Sequence, residues 1–174
     1  MCSPAFVRVA SPPLEFEQAY DEQLARVYGF FAYRLNSRDD AEDLTQQCFE
    51  RALKAWDRFD PGRAAVSTWL LTIARNLLID HYRAQPSDGA SIPIEDVPAS
   101  SLPTVEGAGA DLGLEPRLAE ALAGLAERDR ELLALRFGAD LTGPEIAHLT
   151  GLTLANVQQI ISRSLRRLRA ELDG

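Results

Sequence analysis

The 174-residue chain is poor in most of the features that announce a class. No apolar run approaches the roughly 18 residues a membrane span needs. The stretch from Met1 to Pro13 holds one Arg and no continuous apolar core, so no secretory signal is expected. Two cysteines, Cys2 and Cys48, make neither a bridge framework nor a metal-type spacing, which fits a reducing cytoplasm. His81 and His148 lie far apart, each without a ligand cluster, so no metal is expected. There is no Gly-rich phosphate loop and no nucleophile motif, which speaks against an enzyme and calls for no cofactor. Sustained period-two alternation is absent as well, which excludes a sheet of half-buried strands.

An excess of positive charge is also missing. The chain carries 18 basic and 26 acidic residues, a net charge of -8, which at face value argues against a nucleic-acid partner. The deficit is local, however. Residues 1–83 hold 10 basic and 12 acidic groups, residues 84–115 none and 6, and residues 116–174 eight of each. The middle stretch is also rich in breakers: Pro86, Pro93, Pro98, Pro103 and Pro116, with Gly89, Gly107, Gly109 and Gly113 between them. Proline removes backbone donors and glycine raises the entropy of ordering, so residues 85–115 are expected to be a flexible acidic linker. So long a structureless loop is improbable inside one domain. Two units follow, residues 13–84 and 116–173.

What is present is helical periodicity. Phe16, Tyr20, Leu24, Val27, Phe31 and Leu35 recur at spacings of three and four. Ala41, Leu44, Cys48, Ala52 and Ala55 do the same, with Phe49, Leu53 and Trp56 widening the buried stripe. Asn36 and Ser37 break the two helices, and Asp39 and Asp40 suit the start of the second. Phe59-Asp60-Pro61-Gly62 ends it with turn chemistry. A third helix is expected from about Ser67 to Arg83. Beyond the linker, helices are expected around Leu118–Leu125 and from Arg128 to Phe137. The class is all-α.

The last 35 residues carry a sharper signal. Thr142-Gly143-Pro144-Glu145 fits a capping box with Pro in the first turn. The short helix that follows buries Ile146, Ala147 and Leu149, and Gly151 supplies a left-handed turn. Thr153 caps a final helix with a stripe of Leu154, Val157, Ile161, Leu165, Leu168 and Leu172. This is a helix-turn-helix pattern. The opposite face of the final helix carries Thr153, Ala155, Asn156 and Gln159, then Arg163, Arg166 and Arg167. Amides that pair with base edges come first and cations that reach phosphates come later, the order a recognition helix needs. A neutral unit makes few phosphate contacts and should hold free DNA weakly, unless a partner raises its effective concentration.

The residues also carry a resemblance. The block Asp40-Ala-Glu-Asp-Leu-Thr-Gln-Gln-Cys-Phe-Glu-Arg-Ala52, then Trp56 to Arg63, then Trp69 to His81 resembles conserved region 2 of extracytoplasmic-function sigma factors of the sigma-70 family. Leu125 to Leu172 resembles their region 4. The resemblance implies a factor that binds core RNA polymerase through its β′ clamp helices and β subunit. It would then direct promoter recognition and opening. It implies polymerase contacts at Asp43, Gln46, Gln47 and Glu50, with Leu44 and Phe49 behind or beside them. It implies -10 contacts at Arg63, Val66, Ser67, Trp69, Arg75, Asn76 and Arg83, where unstacked bases need a pocket, a stacking surface and a basic track. The -35 contacts fall on the recognition face named above. The acidic linker would thread polymerase channels that otherwise hold nucleic acid. An anti-sigma factor is left open as a regulatory partner.

Three positions depart from the family pattern. Val66 stands where an aromatic is frequent, Thr150 replaces a usual Leu, and Gln158-Gln159-Ile160 replaces a usual Lys-Ser-Arg. Losing two cations from the final helix motivates an alternative, a sigma-like interaction protein without productive promoter recognition.

Overall fold

Helical periodicity is realised as seven α-helices, with no strand among the described residues of the computed structural model, which are 15–35, 37–84 and 115–173. All of the expected linker except Glu115 lies outside the described residues, as do Asn36 and the N-terminal stretch. The first unit is built from α1 (Phe16–Ala32), α2 (Arg38–Ala55) and α3 (Val66–Ala84). The second is built from α4 (Pro116–Ala123), α5 (Glu127–Leu133), α6 (Gly143–Thr150) and α7 (Leu154–Asp173). Among the described residues no helix is long and apolar enough to cross a membrane.

Local chemistry sets the boundaries. The Ser37 hydroxyl accepts from the Asp40 amide at 3.2 Å, and Asp39 and Asp40 sit at the positive end of the α2 dipole. At its other end α2 tightens into a 3-10 turn over Trp56–Arg58. Phe59 then turns extended, and Asp60 Oδ1 accepts from the Gly62 amide at 2.8 Å, which fixes the reversal into α3. The start of α5 and its apolar run match the expected helix, but the end does not. α5 widens into a π turn over Ala134–Gly138, closed by the Ala139 amide on the Ala134 carbonyl at 2.9 Å.

Packing follows the predicted stripes with three corrections, the first being Tyr20 of the α1 stripe, which is 39% exposed. The first core holds Val27, Phe30 and Phe31 of α1, Leu44, Cys48 and Phe49 of α2, and Leu70, Leu71 and Leu77 of α3. Cys48 is sealed in it, its thiol donating to the Leu70 carbonyl at 3.5 Å, and burial pushes that thiol up to about 12. Such a thiol is inert packing. Leu53, expected to widen the α2 stripe, is 57% exposed, because the buried arc ends at Ala52 and the next residue lies 100° further round. In α7, Leu154 and Leu165 are exposed, and the buried arc runs through Val157, Ser164 and Leu168. Ser164 takes the central place by returning its hydroxyl to the Ile160 carbonyl at 2.9 Å, which satisfies it without water.

The two units pack on each other. One buried cluster joins Val27, Phe31 and Leu35 to Leu132, Leu135, Leu141, Ile146 and Val157. The closest approach is backbone on backbone. A Cβ on Gly29 would stand 2.0 Å from the Gly138 carbonyl oxygen, and one on Gly138 would stand 2.4 Å from that of Gly29. Glycine is therefore needed both at Gly29 within α1 and at Gly138, the last residue of the π turn, where the two cross.

Gly29→Ala separates propensity from packing. Alanine raises intrinsic helix propensity by about 1 kcal/mol, yet the added methyl overpacks the crossing, which costs about 1–3 kcal/mol. A lower melting temperature is expected by calorimetry or circular dichroism. An unchanged or higher value would show that the two units do not meet there.

Candidate nucleic-acid and partner interfaces

Three surfaces collect the candidate residues. On α2, Asp43, Gln46, Gln47 and Glu50 are all exposed and form one stripe at helical spacing. Gln46 Nε2 donates to Glu50 Oε1 at 3.0 Å, which orders the middle of the stripe. Leu44 and Phe49 point the other way, into the core, where Phe49 meets the rings of Phe16 and Tyr20 at 6.5 and 4.6 Å. They support the stripe from behind. Leu53, assigned to the core by its apolar character, instead extends this stripe one turn past Glu50. Its position three residues after Glu50 was the available signal.

The second surface follows the turn at Asp60–Gly62. Arg63 is exposed in the loop, Val66 is half-buried at the start of α3, and Ser67 is buried. Trp69 is half-buried too, its ring 4.8 Å from Phe59 and 5.9 Å from Trp56. That aromatic cluster fixes the loop from beneath. Further along α3, Asn76 and Arg83 are exposed, with exposed Ile79 between them on the same stripe. Arg75 departs from this face. Its Nε donates to Glu131 Oε1 of α5 at 2.7 Å and its Nη1 to the Leu149 carbonyl of α6 at 3.2 Å. Sequence reasoning placed Arg75 with Asn76, and the structure separates them.

The third surface is the helix-turn-helix. The Glu145 carboxylate accepts from the Thr142 amide at 2.8 Å and from its hydroxyl at 2.6 Å. The hydroxyl bond first, then the amide bond, hold the Glu145 carboxyl below its ordinary value. Gly151 has φ of 73°, the left-handed turn its type permits. The Thr153 hydroxyl accepts from the Asn156 amide at 3.3 Å and opens α7. Thr153, Ala155, Asn156, Gln159, Arg163, Arg166 and Arg167 are all exposed along α7 and its cap. The basic end is partly engaged within the chain. Arg163 reaches both oxygens of Asp129 at 3.2 and 3.3 Å, and Arg167 pairs with Glu171 at 2.8 Å.

A contact joins the first and second units beneath these surfaces. Arg34, two residues past α1, forms a buried ion pair with Glu127, the first residue of α5, and Arg130 pairs with the same carboxylate. The Arg34 and Glu127 side chains are only 4% and 9% exposed. Desolvation lowers the Arg34 guanidinium below its ordinary value. Its Nε and Nη1 find no partner among the described residues. The carbonyl of Arg34 accepts from the Tyr82 hydroxyl at 2.8 Å, which ties this corner to α3. Neither partner was singled out from sequence, since a charged residue just past a helix end, like Arg34, or at a helix start, like Glu127, reads as solvated.

The chain is similar to known proteins over most of its length. The Sigma-70 region 2 model matches residues 19–87 and the Sigma-70, region 4 model matches residues 121–170. The extracytoplasmic-function (ECF) RNA polymerase sigma factor RpoE of Cereibacter sphaeroides is 31% identical over 161 residues, covering 90% of this chain and 86% of that protein. The ECF RNA polymerase sigma factor SigM of Bacillus subtilis is 26% identical over 159 residues, covering 90% and 94%. Among solved structures, CnrH in complex with the cytosolic domain of CnrY has a TM-score of 0.60 at 28% identity, covering 91% of this chain and 87% of that one. The sigma factor RpoE in complex with the anti-sigma factor NepR from Bartonella quintana shares the fold, with a TM-score of 0.67 at 24% identity over 91% and 96% of the two chains.

The α6 cap gives a pH-dependent prediction. Thr142→Ala should lower stability by about 1 kcal/mol at neutral pH. Because the folded Glu145 carboxyl is lowered, its contribution is present above the ordinary value of 4.5 and lost as pH falls through the folded one. The gap in melting temperature between parent and variant should therefore narrow below pH 4.5. A gap that widens in acid would contradict this assignment.

Proposed function

Because the chain belongs to the extracytoplasmic-function sigma factors of the sigma-70 family, we propose a division of labour among its three surfaces. The chain acts as an RNA polymerase sigma factor, a transcription initiation factor. The exposed α2 stripe of Asp43, Gln46, Gln47 and Glu50, backed by Leu44 and Phe49, docks on the polymerase β′ clamp helices. Arg63, Asn76 and Arg83 form the track for the -10 element. Val66, Ser67 and Trp69 shape the loop that captures an unstacked base, and Arg75 joins the track once its partners on the second unit release it. The α7 face reads the -35 element, with Asn156 and Gln159 toward base edges and Arg163, Arg166 and Arg167 toward phosphates.

One observation carries this reading. The seven -35 candidates, on a helix that follows a left-handed glycine turn, are all exposed on one chain with the acidic and amide stripe of α2. A neutral second unit binds free DNA weakly, and docking on polymerase supplies the missing affinity through effective concentration. We assign residues 13–84 to polymerase and -10 binding, 85–115 to an acidic linker through polymerase channels, and 116–173 to -35 binding. The factor works in the cytoplasm, without a cofactor, and an anti-sigma factor is the regulatory partner class it admits. Reconstituted transcription with core polymerase on a randomised promoter library tests the whole reading. Discrete initiation sites dependent on this chain are expected, and their absence despite polymerase binding would favour an interaction protein.

Two substitutions separate the surfaces. Gln46→Arg places a bulky cation in the α2 stripe and should weaken association with core polymerase about tenfold, with helix content unchanged. Undiminished association would move the docking face elsewhere. Arg163→Ala should weaken promoter binding by the holoenzyme and reduce the salt slope by about one. Unaltered slope and affinity would take Arg163 off the DNA face.

A further inference from the structure

The outer face of α3 carries four exposed side chains in one stripe. At 100° per residue, Thr72, Asn76, Ile79 and Arg83 fall within about 60° of one another. Three of them have polar groups suited to water or to DNA. The Thr72 hydroxyl is already engaged by the Thr68 carbonyl at 2.9 Å. The Asn76 amide can pair with an adenine edge, and the Arg83 guanidinium can reach a phosphate. Asp80 borders the stripe, and Arg51 of α2 pairs with it at 3.5 Å, which offsets its charge where a phosphate would approach.

Ile79 is the exception. It is 42% exposed and belongs to neither buried core of the described residues. A lone apolar side chain on a surface is ordinary by itself. Here two costs coincide. Part of its surface stays in water, and its β-branched side chain lowers helix propensity relative to Ala, Lys or Glu at a place where core packing makes no demand. On a face that reads DNA, an apolar side chain has one partner above all, the C5-methyl group of thymine.

Spacing narrows the choice of thymine. Ile79 lies three residues after Asn76, about 4.5 Å along the helix axis. Successive base pairs are about 3.4 Å apart. Side chains so placed meet the same base pair or the next one. Resting on the assignment of this stripe to the -10 element under Proposed function, we infer that Ile79 is a specificity-determining residue. It packs on the 5-methyl group of a thymine in the base pair that Asn76 reads or in its neighbour. The contact is apolar, so it separates thymine from uracil, which keeps every hydrogen-bonding group and lacks only that methyl.

The test is a cycle between the methyl and the side chain. Core polymerase carrying the parent chain or Ile79→Ala is given the promoter that the parent selects from a randomised library. Each -10 thymine is replaced in turn by deoxyuridine, and initiation is measured at limiting holoenzyme. For the parent, one replacement should lower initiation about fourfold, as expected for one buried methyl. Ile79→Ala should lose at least as much on the thymine promoter, and at that position it should no longer tell deoxyuridine from thymidine. Ile79→Val, which keeps an apolar branch, should retain most of the discrimination.

A parent indifferent to every replacement overturns the inference, as does a selected -10 element without thymine. Equal losses by parent and Ile79→Ala at every position would do the same, since a merely structural Ile79 slows all templates alike and cannot single out one methyl. Weaker association of Ile79→Ala with core polymerase, without coupling to any thymine, would make Ile79 a protein contact instead. If the parent initiates on no promoter, the sigma factor reading fails, and this assignment falls with it.

Discussion

The fold turns on a buried cation. Arg34 sits between two helical units with the Glu127 carboxylate as its counter-ion, and both are nearly removed from water. Taking such a pair out of water roughly cancels its Coulomb attraction, so the intact pair adds little net stability. Deleting one partner is another matter, costing about 3–5 kcal/mol because the other charge is left stranded. The pair therefore selects one register of the two units without making the join tight. The glycine crossing has the same character. It demands close complementarity between Gly29 and Gly138, and it contributes contact only while the units remain aligned.

From that join the surfaces sort themselves. Apolar residues that might have been shared only within each unit, such as Phe31 and Leu135, form one core across both. Arg34 and Arg75, which face the join, pair with Glu127 and Glu131, while the stripe on α2 and the outer face of α7 are exposed. Charge distribution completes the arrangement. The second unit has as many acids as bases, and three of its acids lie on α5, where they pair with Arg34, Arg163 and Arg75.

Much of this was legible in the sequence because it is local. Ser37 as a cap, the Asp60–Gly62 turn, the Thr142–Glu145 box, the Gly151 turn and the exposed face of α7 each depend on residues within one or two helical turns, and each appears where the pattern placed it. What stayed hidden depends on partners distant in sequence. Glu127 and Arg34 read as solvated charges, since 93 residues separate them and no local pattern pairs them. Ser164 reads as polar until its hydroxyl is seen to satisfy itself on its own helix. Leu53 reads as core because it is apolar, although the arc of α2 that meets α1 and α3 closes one residue earlier. The π turn after α5 has no composition signal, and it is what brings Gly138 against Gly29.

The distance between α2 and α7 reports most directly on whether the two units are joined in the free chain. Spin labels at exposed Lys54 and Arg169, read by pulsed dipolar spectroscopy, give that distance as a distribution. One narrow distribution in the free chain, replaced by a longer one when core polymerase is added, is the predicted result. A broad, long distribution before any polymerase is present would contradict a fold organised around Arg34 and Glu127.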